Sequence, residues 1–293
     1  MPADVITGIS VTPTGGPLGA QIGNVDLHRL DDALFAAIHR AWVDHQVLLF
    51  RGQSMTDADL VAFSRRFGDL DFAPVQEAGR TSTDGFPEIY VVSNVIEKGV
   101  AIGSLGAGEA VWHTDMSYLP APPKASMLYA LEVPPVGGNT SFCDMYAAFD
   151  SLPPALKTRA LGLMVKHDGT YNSGGFVRQG VTPTDDPRQA PGMMHPLVCT
   201  HPDSGRKMLY LGRRRMAWIE GLSLAESDAL LDDIWAHATA QALVWTHVWQ
   251  VGDLVLWDNR QTMHRARRYN DTGEVRDMRR TTVEDVAPTL AQA

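Results

Sequence analysis

The sequence predicts a mainly-β fold with flanking helices, built as a double-sheet jelly roll, the double-stranded β-helix. Three observations lead there. Short apolar runs recur along the chain, while few segments carry helical spacing. Side chains able to bind a metal stand at the ends of such runs. A late segment with strand character returns after the last long helix. The 293 residues suffice for one large domain or two small ones, and a single domain over residues 1–293 is the more economical reading.

The elements follow in order. Residues 5–29 hold Gly15, Gly16, Gly19 and Gly23 among short apolar runs, which reads as turns and short strands. Between Asp31 and His45, residues Leu34, Ile38, Ala41 and Trp42 recur at helical spacing, with Asp31 or Asp32 as the cap. Val47–Phe50 is a fully buried strand. Thr56 opens a helix to Phe67, with Asp59 placed for a capping box and Gly68 as its end. Ile89–Ser93 is a strand. Residues 96–110, with Gly103, Gly106 and Gly108, read as a loop delivering the chain to His113. Ala125–Val133 and Thr140–Asp144 are strands on either side of a turn at Pro134–Gly138. Short helices follow at Met145–Asp150 and Pro154–Leu161. Residues 168–195 are rich in glycine and proline and lack apolar periodicity, so they read as a lid. Leu197–Thr200 and Lys207–Leu211 form a hairpin around Asp203-Ser204-Gly205. Ser223–Ala238 is amphipathic, with Leu224, Leu230, Leu231, Ile234 and Trp235 on its apolar side. Strand-like runs at Ala242–Trp245, Asp253–Trp257, Gln261–His264 and Arg279–Val283 come last, and the tail from Ala287 reads as frayed.

Hydrophobic residues make up 44% of the chain and charged residues 20%, which fits a globular protein with a sizeable core. A net charge of −9 without a basic stripe argues against a nucleic-acid partner. Cys143 and Cys199 are the two cysteines and lie far apart, which fits a reducing compartment and argues against a disulfide framework or structural zinc. Met1–Val5 lacks the basic and apolar pattern of a secretory signal, and no apolar stretch is long enough for a bilayer. A cytoplasmic location without a membrane partner is expected.

The chemistry starts at Trp112-His113-Thr114-Asp115. In extended backbone, residues two apart project to one side, so His113 and Asp115 can converge on one metal ion. A His-x-Asp pair is common by chance and shows nothing alone. A third ligand must come from far along the chain, and His264 is the best candidate. Two histidines and one carboxylate on one face leave open positions opposite, the arrangement of non-haem Fe(II) oxygenases. Arg276 and Arg280 are four apart, which on a strand puts both on one face. Inward guanidiniums need anions, and each can grip a carboxylate through two parallel hydrogen bonds. The plainer reading, a solvated basic strand, is expected of Arg265, Arg267, Arg268 and Arg279. Thr140 follows a glycine turn and is placed to donate to the same carboxylate, although threonine is common in strands.

Taken together, Trp112-His113-Thr114-Asp115, Gly137-Gly138-Asn139-Thr140 and Trp257-Asp258-Asn259-Arg260, followed by His264-Arg265-Ala266, Arg276 and Arg280, resemble the taurine and chlorophenoxyacetate dioxygenase (TauD/TfdA) family. The resemblance implies a cupin-like jelly roll that uses Fe(II), 2-oxoglutarate and O2. It implies that His113, Asp115 and His264 bind the iron, and that Thr140 and Arg276 hold the distal carboxylate of 2-oxoglutarate. Arg280 would lie near that carboxylate or near the anionic group of the primary substrate. Ser141–Met145 and Met278–Thr282 look closer to the chlorophenoxyacetate branch. The segment Asp71-Phe72-Ala73-Pro74 lacks the histidine that the taurine enzyme uses for its sulfonate, which argues against taurine itself. The implied activity is hydroxylation of a small anionic organic acid, aryloxyalkanoate- or sulfonate-like, with release of succinate and CO2, by a homo-oligomer (dimer or tetramer). Leu105, Tyr118 and Phe176 are candidates to line the substrate pocket. The alternatives are a lyase or desaturase outcome at the same iron site, or a cupin-like protein that binds metal without turnover.

Overall fold

A strand whose residues are all apolar needs cover on both faces, and this requirement organises the structure. The structure is a computed structural model that describes residues 4–6, 8–73, 83, 85–105, 111–270 and 273–291. The strands are β1 (Asp4–Ile6), β2 (Ile9–Pro13), β3 (Ala20–Gly23), β4 (Val47–Phe50), β5 (Tyr90–Ser93), β6 (Ile96–Glu97), β7 (Val100–Ala101), β8 (Ser104–Leu105), β9 (Ala125–Glu132), β10 (Thr140–Asp144), β11 (Met164–Asp168), β12 (Gly192–Pro196), β13 (Val198–Thr200), β14 (Lys207–Leu209), β15 (Trp218–Ile219), β16 (Val244–His247), β17 (Leu254–Asp258), β18 (Thr262–Ala266) and β19 (Asp277–Val283). The helices are α1 (Asp32–His45), α2 (Asp57–Arg65), α3 (Met145–Asp150), α4 (Pro154–Ala160) and α5 (Leu224–Ala238).

The major sheet runs β1-β2-β3-β4-β17-β9-β19-β5-β8, and a smaller one runs β16-β10-β18. Strand residues alternate between two cores. Leu48, Phe50, Met127, Tyr129, Leu254 and Leu256 pack with Ile38 and Trp42 of α1 and Leu60 and Phe63 of α2. Their neighbours Val47, Leu49, Leu128, Ala130, Val255 and Trp257 pack with Phe142 of β10 between the sheets. On β19 the same alternation sends Met278 inward, whereas Thr281 meets Ser64 of α2. Arg280 therefore points with Met278 into the space between the sheets, and Arg279 points out to Asp57. This mainly-β, double-stranded β-helix architecture is the fold class expected from the sequence.

The helices start where local chemistry says they should. Asp31 accepts from the Leu34 N–H at 2.8 Å. Thr56 with Asp59, and Ser223 with Glu226, close reciprocal capping boxes. A third core joins α3, α4 and α5 to β13 and β14 through Phe149, Leu197, Leu209, Leu231 and Ile234. Among the described residues, no helix is long and apolar enough to cross a membrane.

Several expectations need correction. The stretch from residue 96 is not plain loop: β6 pairs with β7, and β8 runs parallel to β5; residues 106–110 lie outside the described residues. Asp168 and residues 192–195 belong to the antiparallel pair β11–β12 rather than to a loop. That pair escaped notice because β11 buries polar side chains, His167 and Asp168, where periodicity looks for apolar ones. The tail is docked, not frayed: the Ala291 N–H donates to Val198 O at 3.1 Å and the Thr200 N–H to Thr289 O at 3.0 Å. A 3₁₀ turn at Gln241–Leu243 delays β16 to Val244. Arg265, Arg267 and Arg279 are half-buried rather than solvated; Arg265 lies over the Trp112 ring, 4.7 Å from its centroid.

The two-sided burial of β4 gives a direct prediction. Leu48→Ala is expected to lower the unfolding free energy by about 2–5 kcal/mol, read from the denaturant midpoint. A loss under about 1 kcal/mol would contradict the packing of α1 on this sheet.

Candidate metal centre

Two backbone hydrogen bonds join the distant parts of the site. The His113 N–H donates to His264 O at 3.0 Å, and the His264 N–H donates to His113 O at 2.9 Å. This isolated bridge extends the β16-β10-β18 sheet by the segment carrying Asp115. The two imidazole centroids stand 4.2 Å apart. Asp115 Oδ1 is 3.6 Å from His113 Nε2 and 3.9 Å from His264 Nε2. One ligand atom from each residue lies within 4.8 Å of the others, and all three side chains are buried. Ligands at about 2.1 Å from a common ion stand roughly 3.0–3.4 Å apart. The observed separations are therefore within a small adjustment of a coordinated set.

Neighbours aim the donor atoms. His113 Nδ1 is 2.8 Å from Val111 O. A carbonyl only accepts, so Nδ1 carries the proton and Nε2 presents its lone pair to the site. Ser126 Oγ donates to Asp115 Oδ2 at 2.8 Å. Asn259 Nδ2 donates to Ser126 Oγ at 2.8 Å, and Trp257 Nε1 donates to Asn259 Oδ1 at 2.9 Å. This relay occupies Oδ2 and leaves Oδ1 facing the histidines. Arg280 donates to the same Oδ1 at 3.1 Å.

Burial would push the Asp115 carboxyl up, but the charge of Arg280 foremost outweighs it and holds the group well below the usual carboxylate range. Burial pushes His113 down, and it pushes His264 well down with His113 adding to the effect. Near neutral pH the site thus presents two neutral imidazoles and one carboxylate, the protonation states that metal binding requires.

A cleft opens on the two histidines and is lined by His113, His264, Thr140, Arg276 and Arg280 with apolar walls from Val92, Leu128 and Trp257. Thr140 Oγ1 accepts from Trp249 Nε1 at 3.0 Å, so its own hydrogen is directed elsewhere. Arg276 is buried, its Nε has no partner, and burial pushes its guanidinium down to about 10. Among the described residues no carboxylate lies within ion-pair reach of it. Strand β19 starts at Asp277 with a register shift at Asp277/Met278, so Arg276 precedes the strand, yet both arginines reach the cleft. Of the proposed substrate residues, Tyr118 is half-buried below Arg178, whose Cζ is 4.2 Å from its ring centroid. Phe176 is 62% exposed, and Ser173 and Gly174 line the cleft from its loop instead. The Leu105 side chain lies outside the described residues, although its backbone pairs with Ser93. Sequence reasoning missed Ser126, Asn259 and Trp249, whose roles come from contacts across the fold.

Comparison with known proteins agrees with this geometry. A family model described as "Taurine catabolism dioxygenase TauD, TfdA family" matches residues 10–282. The chain is 38% identical over 277 residues to the alpha-ketoglutarate-dependent 2,4-dichlorophenoxyacetate dioxygenase of Cupriavidus pinatubonensis, covering 92% of this chain and 95% of the other. It is 33% identical to the alkylsulfatase of Acinetobacter baylyi, covering 88% and 79%. The crystal structure of AAD-2 in complex with Mn(II) and N-oxalylglycine is similar with a TM-score of 0.77 and 34% identity, covering 96% of this chain and 99% of that one.

Two expectations follow. Ser126→Ala removes the donor that fixes Asp115 and is expected to weaken Mn(II) binding roughly 10–100-fold, measured by equilibrium titration; unchanged affinity would remove Ser126 from the ligand scaffold. Away from the ligands, burial also lowers His167, His195 and His247 from their ordinary 6.5. Below that value the unfolded chain takes up protons that the folded protein refuses. The associated stability is present above about 6.5 and lost as the pH falls further. The melting temperature of metal-free protein should therefore drop between pH 7.5 and 5.5, and a flat profile would contradict it.

Proposed function

The chain belongs to the TauD, TfdA family of dioxygenases, and on that premise we propose how its site carries out hydroxylation of a small anionic organic acid with Fe(II), 2-oxoglutarate and O2, forming succinate and CO2. One observation carries the reading. The two histidines of the His–Asp–His ligand set share one cleft with the Thr140 hydroxyl and with Arg276, a buried arginine that has no carboxylate in ion-pair reach among the described residues. Bound iron would supply the redox chemistry that couples O2 reduction to 2-oxoglutarate decarboxylation and C–H oxidation.

The chain's own residues hold and orient. His113, Asp115 and His264 hold the metal by Nε2, Oδ1 and a ring nitrogen, respectively. Arg276 takes the distal carboxylate of 2-oxoglutarate through its fork of N–H donors. Thr140 adds an O–H donor, since Trp249 already fills one lone pair of its oxygen. Arg280 balances the charge of Asp115. Val92, Leu128 and Trp257 form apolar walls that keep water from the reacting carbon. The segment from Gly169 to Pro191 serves as the lid, with Ser173 and Gly174 reaching the cleft. Residues 1–293 act as one dioxygenase domain, because the site draws on positions from 113 to 280.

The relatives' names, a dichlorophenoxyacetate dioxygenase and an alkylsulfatase, share an apolar body and one oxyanion, and this substrate class is carried to the present chain. Two buried free thiols, Cys143 and Cys199, support a cytoplasmic location. The homo-oligomer implied by the family is checked by light scattering, where the mass of a single chain would remove it.

The test is succinate formation and oxygen uptake with a panel of aryloxyalkanoates and alkyl sulfates; products lacking hydroxylation-derived fragments would point to a lyase or desaturase outcome. Arg276→Ala is expected to raise the 2-oxoglutarate concentration for half-maximal rate about 100-fold, the loss of two charge-assisted hydrogen bonds. An unchanged requirement would transfer the role to another arginine.

A further inference from the structure

Arg213 has no task in the reading above. It is 5% exposed, and its Nε and one terminal nitrogen have no hydrogen-bond partner. Among the described residues, no carboxylate comes within ion-pair distance of it. A buried guanidinium without a counter-ion is costly, so a fold that keeps one is arranged for an anion from outside the chain.

The backbone ties the turn that carries Arg213 to the segment that carries the metal ligands. Gly212 O accepts the N–H of Thr114 at 3.2 Å, between two metal ligands. Gly212 has φ +64, and a Cβ there would collide with the His167 ring. Only glycine lets this turn pack against the His167 ring while its carbonyl holds Thr114. Burial and the neighbouring Arg178 push the Arg213 guanidinium down to about 10. Arg178 comes from the lid segment, where its N–H donates to Thr170 O at 2.8 Å. Its guanidinium lies over the Tyr118 ring, and its Nε is also buried without a partner. Arg213 and Arg178 are both short of hydrogen-bond partners, and an anion gripped by both would satisfy them.

We propose that Arg213 anchors the oxyanion of the primary substrate, with Arg178 closing on the same group from the lid and Tyr118 flanking the apolar remainder. This inference rests on the dioxygenase reading and names the residues that would hold the substrate's anion. The substrate is an apolar or aromatic molecule carrying one carboxylate or one sulfate, either of which presents two oxygens to a guanidinium fork. The substrate anion is thereby separated from the co-substrate carboxylate at Arg276 and Thr140. Arg280, given by the resemblance to one or other of those anions, is left to Asp115.

The test is calorimetric binding to protein loaded with Mn(II) and 2-oxoglutarate under anaerobic conditions. The probes are phenoxyacetate, hexyl sulfate and the neutral ether phenetole. Wild-type protein is expected to bind at least one anion and to bind phenetole far more weakly. Arg213→Gln should weaken the anion about 30-fold or more, Arg213→Lys less, and Arg178→Gln by about 3–10-fold. The affinity for 2-oxoglutarate should stay within about twofold throughout. Which anion responds distinguishes carboxylate from sulfate. Folded Arg213→Gln protein that binds the anion as wild type does would overturn the proposal, as would phenetole binding equal to that of phenoxyacetate. Wild-type protein that binds 2-oxoglutarate but neither anion overturns the anion site and leaves the dioxygenase reading standing. Failure of wild-type protein to bind 2-oxoglutarate would sink that reading itself. If Arg213→Gln does not fold, Arg178→Gln and Arg213→Lys decide.

Discussion

The site depends on the reciprocal pair of backbone hydrogen bonds between His113 and His264. Those bonds bring a segment without regular strand structure into register with β18, and β18 is held by β10. β10 in turn places Thr140 and Phe142 against the inner face of the major sheet. The strand alternation that buries Val255 and Trp257 also turns Arg280 inward. One backbone bridge therefore sets the distances among three ligand side chains, and two-sided sheet packing sets the direction of the cations around them.

Charge is the second constraint. The chain as a whole is acidic, with a net charge of −9, yet the space around the ligands is cationic. Asp115 is balanced by Arg280, while Arg276 and Arg213 have no carboxylate within ion-pair distance among the described residues. Buried cations of this kind have meaning only together with the anions they receive. Two such positions, on different elements, fit a reaction that brings two separate anionic molecules to one metal.

Much of the centre was legible in the sequence because its residues stand in short motifs whose chemistry is local. His113 and Asp115 are two apart, and Thr140 follows a glycine turn. Helices α1 and α2 announced themselves by capping side chains that bond within one turn, and α5 by its apolar stripe. What stayed hidden is non-local. Ser126 looks like a neutral residue in an apolar strand until Asn259 and Asp115 arrive on either side of it. Arg213 stands in no motif that sets it apart, and only the fold shows that it is buried. β11 and β12 were missed because buried His167 and Asp168 interrupt the apolar pattern, and the docked tail because backbone hydrogen bonds hold it.

The separation of the ligands along the chain has a consequence for biosynthesis. His113 and Asp115 emerge from the ribosome early, but they form no three-ligand site until His264 and the strands that carry it have been made and paired. A nascent or truncated chain therefore offers iron only a weak two-point hold, and reactive oxygen chemistry is withheld from an unfolded polypeptide whose own side chains would be its nearest targets. Completion of the chain is, in this protein, the safety catch on its redox centre.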